Sequence, residues 1–218
     1  MTHAYGGIRA RTGLAFDRCE ILINRDKAGF RTGLAGIFRP ESYPVSISPR
    51  IILITGVAGS GKTTIGRRLA AELAWSYYEA DDFHSPANKD KMARGIPLDD
   101  NDRAPWLASI RAGMDDCLAT GRNAVFTCSG LKEKYRRVLM PDIASARVDG
   151  RLRISLVYLA GDYGTILARV GSRQGHYMKA EMVQSQFAAL EVPAEALSMD
   201  IRLPPETIIA EIREKCGV

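Results

Sequence analysis

Residues 51–64 read Ile-Ile-Leu-Ile-Thr-Gly-Val-Ala-Gly-Ser-Gly-Lys-Thr-Thr. Its first five residues form a continuous apolar run, which is typical of a strand buried on both faces of a parallel sheet. Residues 56–63 then match the pattern G-x-x-x-x-G-K-[ST]. After them Ile65, Leu69 and Leu73 recur every four residues and predict a helix with one apolar stripe. A buried strand, a glycine-rich turn and a helix in this order predict a loop that binds phosphate groups.

Each part of this loop has a chemical task. The glycines let the backbone wrap tightly with its N–H groups pointing inward, and the following helix adds the positive end of its dipole. Lys62 reaches the β- and γ-phosphates, and the Thr63 hydroxyl can bind Mg²⁺. The predicted nucleotide-binding residues are Gly56, Val57, Ala58, Gly59, Ser60, Gly61, Lys62, Thr63 and Thr64. The motif alone does not separate GTPases, motor ATPases and small-molecule kinases, and a glycine-rich turn that binds nothing is the alternative.

Strands and helices alternate along the rest of the chain. The pattern predicts further strands at 77–79, 124–127, 154–159 and 197–201. It predicts helices at 63–74, 86–94, 102–120, 132–140, between 159 and 170, at 180–190, and from 205 onward. Such alternation predicts an α/β fold whose parallel strands are joined by right-handed crossovers.

Composition limits the class of protein. The chain has 218 residues, of which 46% are hydrophobic and 25% are charged, and this excludes collagen-like, disulfide-scaffold and wholly disordered chains. No apolar run approaches the roughly 18 residues of a spanning helix, so we expect no membrane partner. The four scattered cysteines form no zinc pattern and favour a reducing compartment, for which we expect the cytoplasm.

The net charge of +5 is concentrated near the start of the chain. Residues 1–50 carry 8 basic and 4 acidic side chains, and the remainder carries 22 and 21. We therefore expect no nucleic-acid partner, although DNA binding through the basic segment is an alternative. Residues 1–49 lack periodicity and can be a loosely ordered extension, the product of a wrongly assigned start or a targeting peptide. We assign the folded domain to residues 50–218.

The second predicted strand ends in an acidic motif, Glu79-Ala-Asp81-Asp-Phe-His84. In open α/β sheets the ligand crevice lies at the carboxyl ends of the strands. Alternation along an extended chain puts Glu79 and Asp81 on the same side. Glu79 can hold a Mg²⁺-bound water, and Asp81 can orient and help deprotonate an attacking hydroxyl. The alternative is a solvated acidic loop.

Further motifs accompany these two. They are Asn88 to Leu107, with Gly95-Ile-Pro-Leu-Asp99 and Asp102-Arg-Ala-Pro-Trp106; Cys128-Ser-Gly-Leu-Lys132-Glu-Lys-Tyr-Arg136; Arg169 to Tyr177; and Gln186-Phe-Ala-Ala-Leu-Glu191-Val-Pro193. Together with the phosphate loop they resemble the gluconate kinases, small-metabolite kinases related to shikimate and adenylate kinases. The resemblance covers about 165 residues from Ile51 onward and excludes the first fifty.

The resemblance implies a fold and a reaction. The fold is the three-layer P-loop kinase fold, with five parallel strands in the order 2-3-1-4-5 and helices on both faces. The reaction is Mg²⁺-assisted transfer of the γ-phosphoryl group of ATP to the 6-hydroxyl of D-gluconate. Members of the family are commonly dimers, so a homodimer is one expectation. A kinase for another small acid such as shikimate, and a nucleotide-binding regulator without turnover, are the alternatives.

The resemblance also suggests roles for single residues. Arg103, Lys132 and Arg136 can supply cations for the gluconate carboxylate, while Asp81, His84 and Tyr135 can bind its hydroxyls. Residues 171–179 are expected to form a lid. Arg169 and Arg173, four residues apart, are expected at the γ-phosphate, and with Lys62 and Asp81 they make up the predicted catalytic set.

Other positions have packing roles or depart from the family pattern. We expect Trp106, Leu107 and Met92 to pack in the core and Cys128 to be chemically inert. For each basic residue the simpler alternative is a surface charge, and for His84 it is a packing or capping role. The departures are Glu79 for Asp, Gly130 for Ala, Gln174 for Lys, and Asp200-Ile-Arg-Leu-Pro204 in the loop expected near the base.

Overall fold

Seven strands and seven helices lie in the residues that this computed structural model describes, which are 49–141, 147–148, 151–171 and 180–218. The strands are β1 Ile51–Thr55, β2 Ser76–Glu79, β3 Ala124–Thr127, β4 Arg147–Val148, β5 Arg151–Leu152, β6 Ile154–Ala160 and β7 Leu197–Asp200. The helices are α1 Lys62–Leu73, α2 Pro86–Ala93, α3 Asp100–Ala119, α4 Glu133–Leu139, α5 Tyr163–Gly171, α6 Ala180–Ala189 and α7 Pro205–Cys216. Within these residues no helix is long and apolar enough to cross a membrane.

The main sheet has the order β2-β3-β1-β6-β7, and all of its neighbouring strands run parallel. With the two short strands β4 and β5 set aside, this is the predicted order 2-3-1-4-5, which is confirmed. Strands β4 and β5 form a separate antiparallel hairpin that the sequence pattern did not predict. A strand of two residues is too short to produce a periodic signal.

Strand β1 lies in the centre of the main sheet, and the burial of both its faces explains the apolar sequence of residues 51–54. Ile52 and Ile54 belong to a core cluster that also contains residues of α1 and α7. Ile51 and Leu53 belong to a second cluster, with residues of α3 and α4. Because successive side chains of a strand point to opposite faces, every position of a strand covered on both faces must be apolar.

Most predicted packing roles are confirmed, with one exception. Trp106 and Leu107 are buried in the cluster shared by α3 and α4. The prediction that Met92 belongs to the core is wrong, since 40% of this residue is exposed. Asn88 is the buried residue of the short helix α2, so the remainder of this helix, Met92 included, presents no apolar stripe to the sheet.

Helix α3 begins two residues before its predicted start because its N-terminus is capped from both sides. The Asp99 carboxylate accepts a hydrogen bond from the Asp102 N–H at 2.8 Å, and the Asp102 carboxylate accepts one from the Asp99 N–H at 3.1 Å. This reciprocal pair satisfies two N–H groups that a helix end otherwise leaves without partners. The cap also fixes the position of Arg103 in the first turn.

Candidate active site

The phosphate loop has the backbone that its glycines allow. Gly59 and Gly61 have φ angles of +84° and +98°, in the left-handed region that favours glycine. Helix α1 begins at Lys62, directly after the loop, so its positive end faces the same space. The loop and helix therefore form a cradle suited to an anion.

The Lys62 ammonium stays close to this cradle. Its Nζ donates hydrogen bonds to the Gly56 carbonyl at 2.9 Å and to the Val57 carbonyl at 3.1 Å. The side chain thus folds back over the loop that precedes it. This places a positive charge at the cradle, which is where the sequence prediction requires one.

The predicted metal-side residues meet next to the cradle. The Thr63 hydroxyl donates to Glu79 Oε2 at 2.9 Å, the Tyr77 hydroxyl donates to the same oxygen at 2.5 Å, and the Thr127 hydroxyl donates to Oε1 at 2.8 Å. Burial and the bond to Glu79 raise the pKa of Tyr77 to about 12, so this hydroxyl remains a donor at neutral pH. Three hydroxyl groups therefore hold the Glu79 carboxylate in one orientation.

Tyr77 and Thr127 hold the Glu79 carboxylate, and the sequence analysis did not predict this contact for either residue. A signal for both was present. Tyr77 lies two positions before Glu79 in a predicted strand, and Thr127 ends the strand that pairs with it in the register Glu79↔Thr127. The predicted strand order makes these strands neighbours, but the register that pairs Glu79 with Thr127 was also needed to use this signal.

The oxygen donors at this position suit Mg²⁺. The ion prefers oxygen ligands in octahedral geometry, keeps several waters, and is usually held by one or two protein groups together with substrate phosphates. The Thr63 hydroxyl and the Glu79 carboxylate match that donor set. No cluster of three or more His, Cys, Asp or Glu able to hold a metal occurs in the described part of the chain, so a closed protein cage is absent there.

Asp81 lies on a 3-10 turn formed by Ala80–Phe83, directly after β2. The expectation that Glu79 and Asp81 share one side of an extended chain is wrong, because the chain leaves the extended conformation at Ala80. The Trp106 indole N–H donates to the Ala80 carbonyl at 2.7 Å and ties this turn to α3. Asp81 itself is exposed, at the carboxyl end of its strand.

His84 follows this turn and lies in an aromatic environment. Its ring stacks on that of Trp106, with centroids 4.5 Å apart and planes 7° apart. The residue is 8% exposed, and its buried Nδ1 has no hydrogen-bond partner. Burial lowers the pKa of His84, and the nearby Asp81 carboxylate opposes that effect. Packing against Trp106 is thus the observed role of His84, and its contact with a substrate hydroxyl stays a prediction.

Three of the predicted substrate-binding residues come together between α3 and α4. Arg103 Cζ lies 5.8 Å and Lys132 Nζ 5.9 Å from the centre of the Tyr135 ring. The Tyr135 hydroxyl donates to the Asp100 carboxylate at 2.5 Å, and Lys134 binds the other oxygen of the same carboxylate. These two hydrogen bonds lower the pKa of Asp100 to about 2, so it remains charged.

We call Asp100, Arg103, Lys132, Lys134 and Tyr135 the cation cluster. It carries more positive than negative charge and offers a hydroxyl, so it can bind a small hydroxylated anion. Asp100 and Lys134 were not predicted, since each reads as an ordinary surface charge until α3 and α4 are placed side by side.

Arg136 has a different environment from its predicted one. It is 4% exposed, and its Nη1 donates to the carbonyls of Gly130 and Leu131, both at 3.0 Å. Its Nε lies 3.9 Å from the Glu195 carboxylate. These contacts favour a structural role, in which the guanidinium supports the loop that carries Lys132.

Of the two arginines expected at the γ-phosphate, the structure describes one. Arg173, with the predicted lid at 171–179 apart from Gly171, lies outside the described residues. Arg169 is described, and its Nη2 donates to the Ile201 carbonyl at 2.5 Å, in the loop after β7. The role of Arg169 at the γ-phosphate therefore stays a prediction.

The altered loop after β7 contains an internal ion pair. The Arg202 guanidinium binds the Asp200 carboxylate through two nitrogens, at 3.0 and 2.6 Å, and lowers the pKa of Asp200 to about 2. The pair borders a pocket that is also lined by Tyr158, Asp162 and Ser198. Arg202 is thus held by its own loop.

Comparison with known proteins places these features in a family. A family model described as an AAA domain matches residues 51–196. A probable gluconokinase of Mus musculus is 39% identical, over 73% of this chain and 95% of its own, and a gluconokinase of Gluconobacter oxydans is 40% identical, over 69% and 80%. The crystal structure of a gluconokinase from Sinorhizobium meliloti is 32% identical, with a TM-score of 0.66 over 78% of this chain and 93% of its own.

Proposed function

The chain belongs to the gluconokinase family, and we propose that it transfers the γ-phosphoryl group of ATP to the 6-hydroxyl of D-gluconate. The observation that carries this proposal is the meeting of three segments at one edge of the sheet. The cradle follows β1, the turn with Asp81 follows β2, and the loop with Lys132 follows β3, and these strands are direct neighbours. The nucleotide, the catalytic base Asp81 and the acceptor can therefore lie side by side.

The nucleotide side of the reaction belongs to the cradle. Its inward N–H groups and the start of α1 bind the phosphates of ATP, and Lys62 neutralises negative charge at the β- and γ-phosphates. Thr63 and Glu79, the latter through a water, would hold Mg²⁺. When bound, the ion would neutralise charge on the β- and γ-oxygens.

The acceptor side belongs to the cation cluster and Asp81. Arg103 and Lys132 bind the gluconate carboxylate, and Tyr135 and His84 bind its hydroxyls. Asp81 accepts the proton of the 6-hydroxyl while the oxygen of that hydroxyl forms a bond to the γ-phosphorus. At the same time the bond between the γ-phosphorus and the β,γ-bridging oxygen breaks. The products are ADP and 6-phospho-D-gluconate. Arg169 and Arg173 are proposed to neutralise charge on the transferred group.

We propose the cytoplasm as the compartment. The described cysteines Cys117, Cys128 and Cys216 are buried free thiols, and burial raises the pKa of Cys128 to about 12. Such thiols suit a reducing environment. An N-terminal extension at 1–49 and a homodimer remain predictions.

An assay of ADP release over a panel of acceptors tests this function. The panel contains D-gluconate, other sugar acids, shikimate and nucleoside monophosphates, with ATP and Mg²⁺ in every reaction. We expect ADP release to depend on gluconate. Release with shikimate or a nucleotide but not with gluconate would refute the proposal, and release without any acceptor would identify an ATPase.

A further inference from the structure

The motif Gln186-Phe-Ala-Ala-Leu-Glu191 has no role in the mechanism above, yet it touches both halves of the site. At its first residue, Gln186 Oε1 accepts a hydrogen bond from the Ala58 backbone N–H at 2.6 Å. Ala58 is a member of the phosphate cradle. The end of α6 thus holds one of the N–H groups of the loop that is proposed to bind the nucleotide.

At its last residue the motif binds the segment that carries Lys132. The Glu191 N–H donates to the Leu131 carbonyl at 2.9 Å, and the Glu191 carboxylate accepts from the Glu133 N–H at 2.5 Å. These two bonds enclose Lys132 from both sides. Glu191 therefore fixes the backbone on which this predicted substrate-binding lysine stands.

Two partly buried residues between these ends pack against the core. Phe187 and Leu190 lie against the cluster shared by α1 and α7, and Leu131 packs against the same cluster. The Phe187 ring also meets the Tyr163 ring edge to face, with centroids 5.4 Å apart. A segment anchored in this way moves as a unit, since packed interiors resist continuous deformation.

We propose that residues 186–191 are a positioning tie that couples the phosphate cradle to the Lys132 loop. Gln186 and Glu191 act through the backbones they hold and do not touch the reacting atoms. Because the tie links the two segments through packed and hydrogen-bonded groups, we expect a change at either end to alter binding at the other. The consequence for catalysis rests on the proposed function, but the coupling itself can be measured with the nucleotide alone.

The experiment measures ADP affinity by titration calorimetry on the full chain. Gln186→Met keeps the length of the side chain and removes the acceptor, and we expect it to weaken ADP binding about 5-fold. Glu191 binds the Lys132 loop, yet we expect Glu191→Ala to weaken ADP binding about 3-fold. Glu191→Gln keeps an acceptor oxygen and should restore the affinity for ADP. The double variant should lose little more than Gln186→Met alone, because either change severs the same tie.

Matched variants separate the tie from general stability. Gln184→Met and Glu181→Ala repeat both substitutions at exposed positions of α6 and should leave ADP affinity within about 2-fold of wild type. Thermal unfolding of every variant checks that the fold is retained. Glu191→Ala with unchanged ADP affinity, or losses that simply add in the double variant, would overturn the tie. A wild-type protein that binds ADP but does not phosphorylate gluconate would refute the proposed function alone.

Discussion

At the scale of single residues, the site contains side chains that would act on the substrates and side chains that hold others in place. Lys62 follows the phosphate loop directly, and Asp81 lies in the turn directly after β2. From these positions Lys62 would face a phosphate and Asp81 a hydroxyl. Tyr77 and Thr127 orient Glu79. The first group should control turnover, and predictions for it can be separated from effects on stability.

Replacement of Lys62 by alanine should lower kcat about 100- to 1000-fold, because it removes a fixed positive charge from the transferred phosphoryl group. Lys62 donates hydrogen bonds to two carbonyls of its own loop, and we expect the melting temperature to change little. Steady-state kinetics and thermal unfolding measure the two effects. Lys215→Ala, which breaks an exposed ion pair on α7, is the control and should keep full activity. Equal turnover in both variants would contradict the role of Lys62.

Replacement of Asp81 by asparagine should lower kcat about 100- to 10,000-fold, because the amide cannot accept the proton of the acceptor hydroxyl. Its neighbour Asp82 is also exposed and lies in the same turn, so Asp82→Asn is a matched control. The KM for ATP should stay close to that of wild type in both. If the two variants retain the same kcat, Asp81 is not the base.

His84 should make the protein less stable in acid. Burial lowers its pKa in the folded protein, whereas the unfolded chain keeps a pKa of about 6.5. As the pH falls through that value, the unfolded chain binds a proton that the folded protein does not, so stability decreases. We expect the melting temperature to decrease less between pH 7.5 and pH 5.5 in His84→Phe, which can keep the stack on Trp106, than in wild type. An identical loss in both would show that His84 does not contribute.

At the scale of elements, the close approach of α1 to the sheet brings the cradle to Glu79. Gly66 makes this approach possible, because a Cβ at that position would lie 2.6 Å from Thr127 Cγ2 and 2.8 Å from Tyr77 Cε2. Both neighbours are residues that hold Glu79. Packing between α1 and the strands is therefore linked directly to the geometry of the site.

Gly66→Ala should destabilise the protein by about 1–3 kcal/mol through overpacking, although alanine normally favours a helix. It should also lower activity, since Tyr77 and Thr127 must move. Denaturant unfolding and the kinase assay measure these effects. Gly171→Ala, at the end of α5 where a Cβ would meet no atom of the described residues within 4 Å, is the control for stability alone and should be neutral or stabilising. A stabilised Gly66→Ala variant would contradict the packing.

At the scale of the whole molecule, local patterns were sufficient for the fold class but not for the strand order. The apolar run of β1, the stripe of α1 and the alternation of elements predicted a parallel α/β sheet. The order 2-3-1-4-5 was implied by the resemblance to the gluconate kinases, and it is confirmed. Predicted and observed bounds differ by one or two residues where a cap decides the end, as at Asp99. The hairpin of β4 and β5 escaped prediction because two residues carry no period.

The site was predictable where one motif held all the parts, and it was not where elements meet. The cradle could be predicted from its own residues. The hydroxyl groups around Glu79 and the carboxylate of Asp100 depend on which strands and helices are neighbours, which no single segment reveals. Arg136 lies inside a motif that matches the family, but its guanidinium donates hydrogen bonds to the carbonyls of Gly130 and Leu131. A matching motif therefore did not identify the contacts of this residue.

The position of the phosphate in the product decides whether this chain phosphorylates the 6-hydroxyl of gluconate. The purified protein is incubated with ATP, Mg²⁺ and D-gluconate, and the product is examined by ³¹P and ¹H–³¹P correlation NMR. We expect a new phosphate ester coupled to the two protons on carbon 6, in amounts equal to the ADP formed. Inorganic phosphate without an ester, or an ester on another carbon, would refute phosphorylation at the 6-hydroxyl.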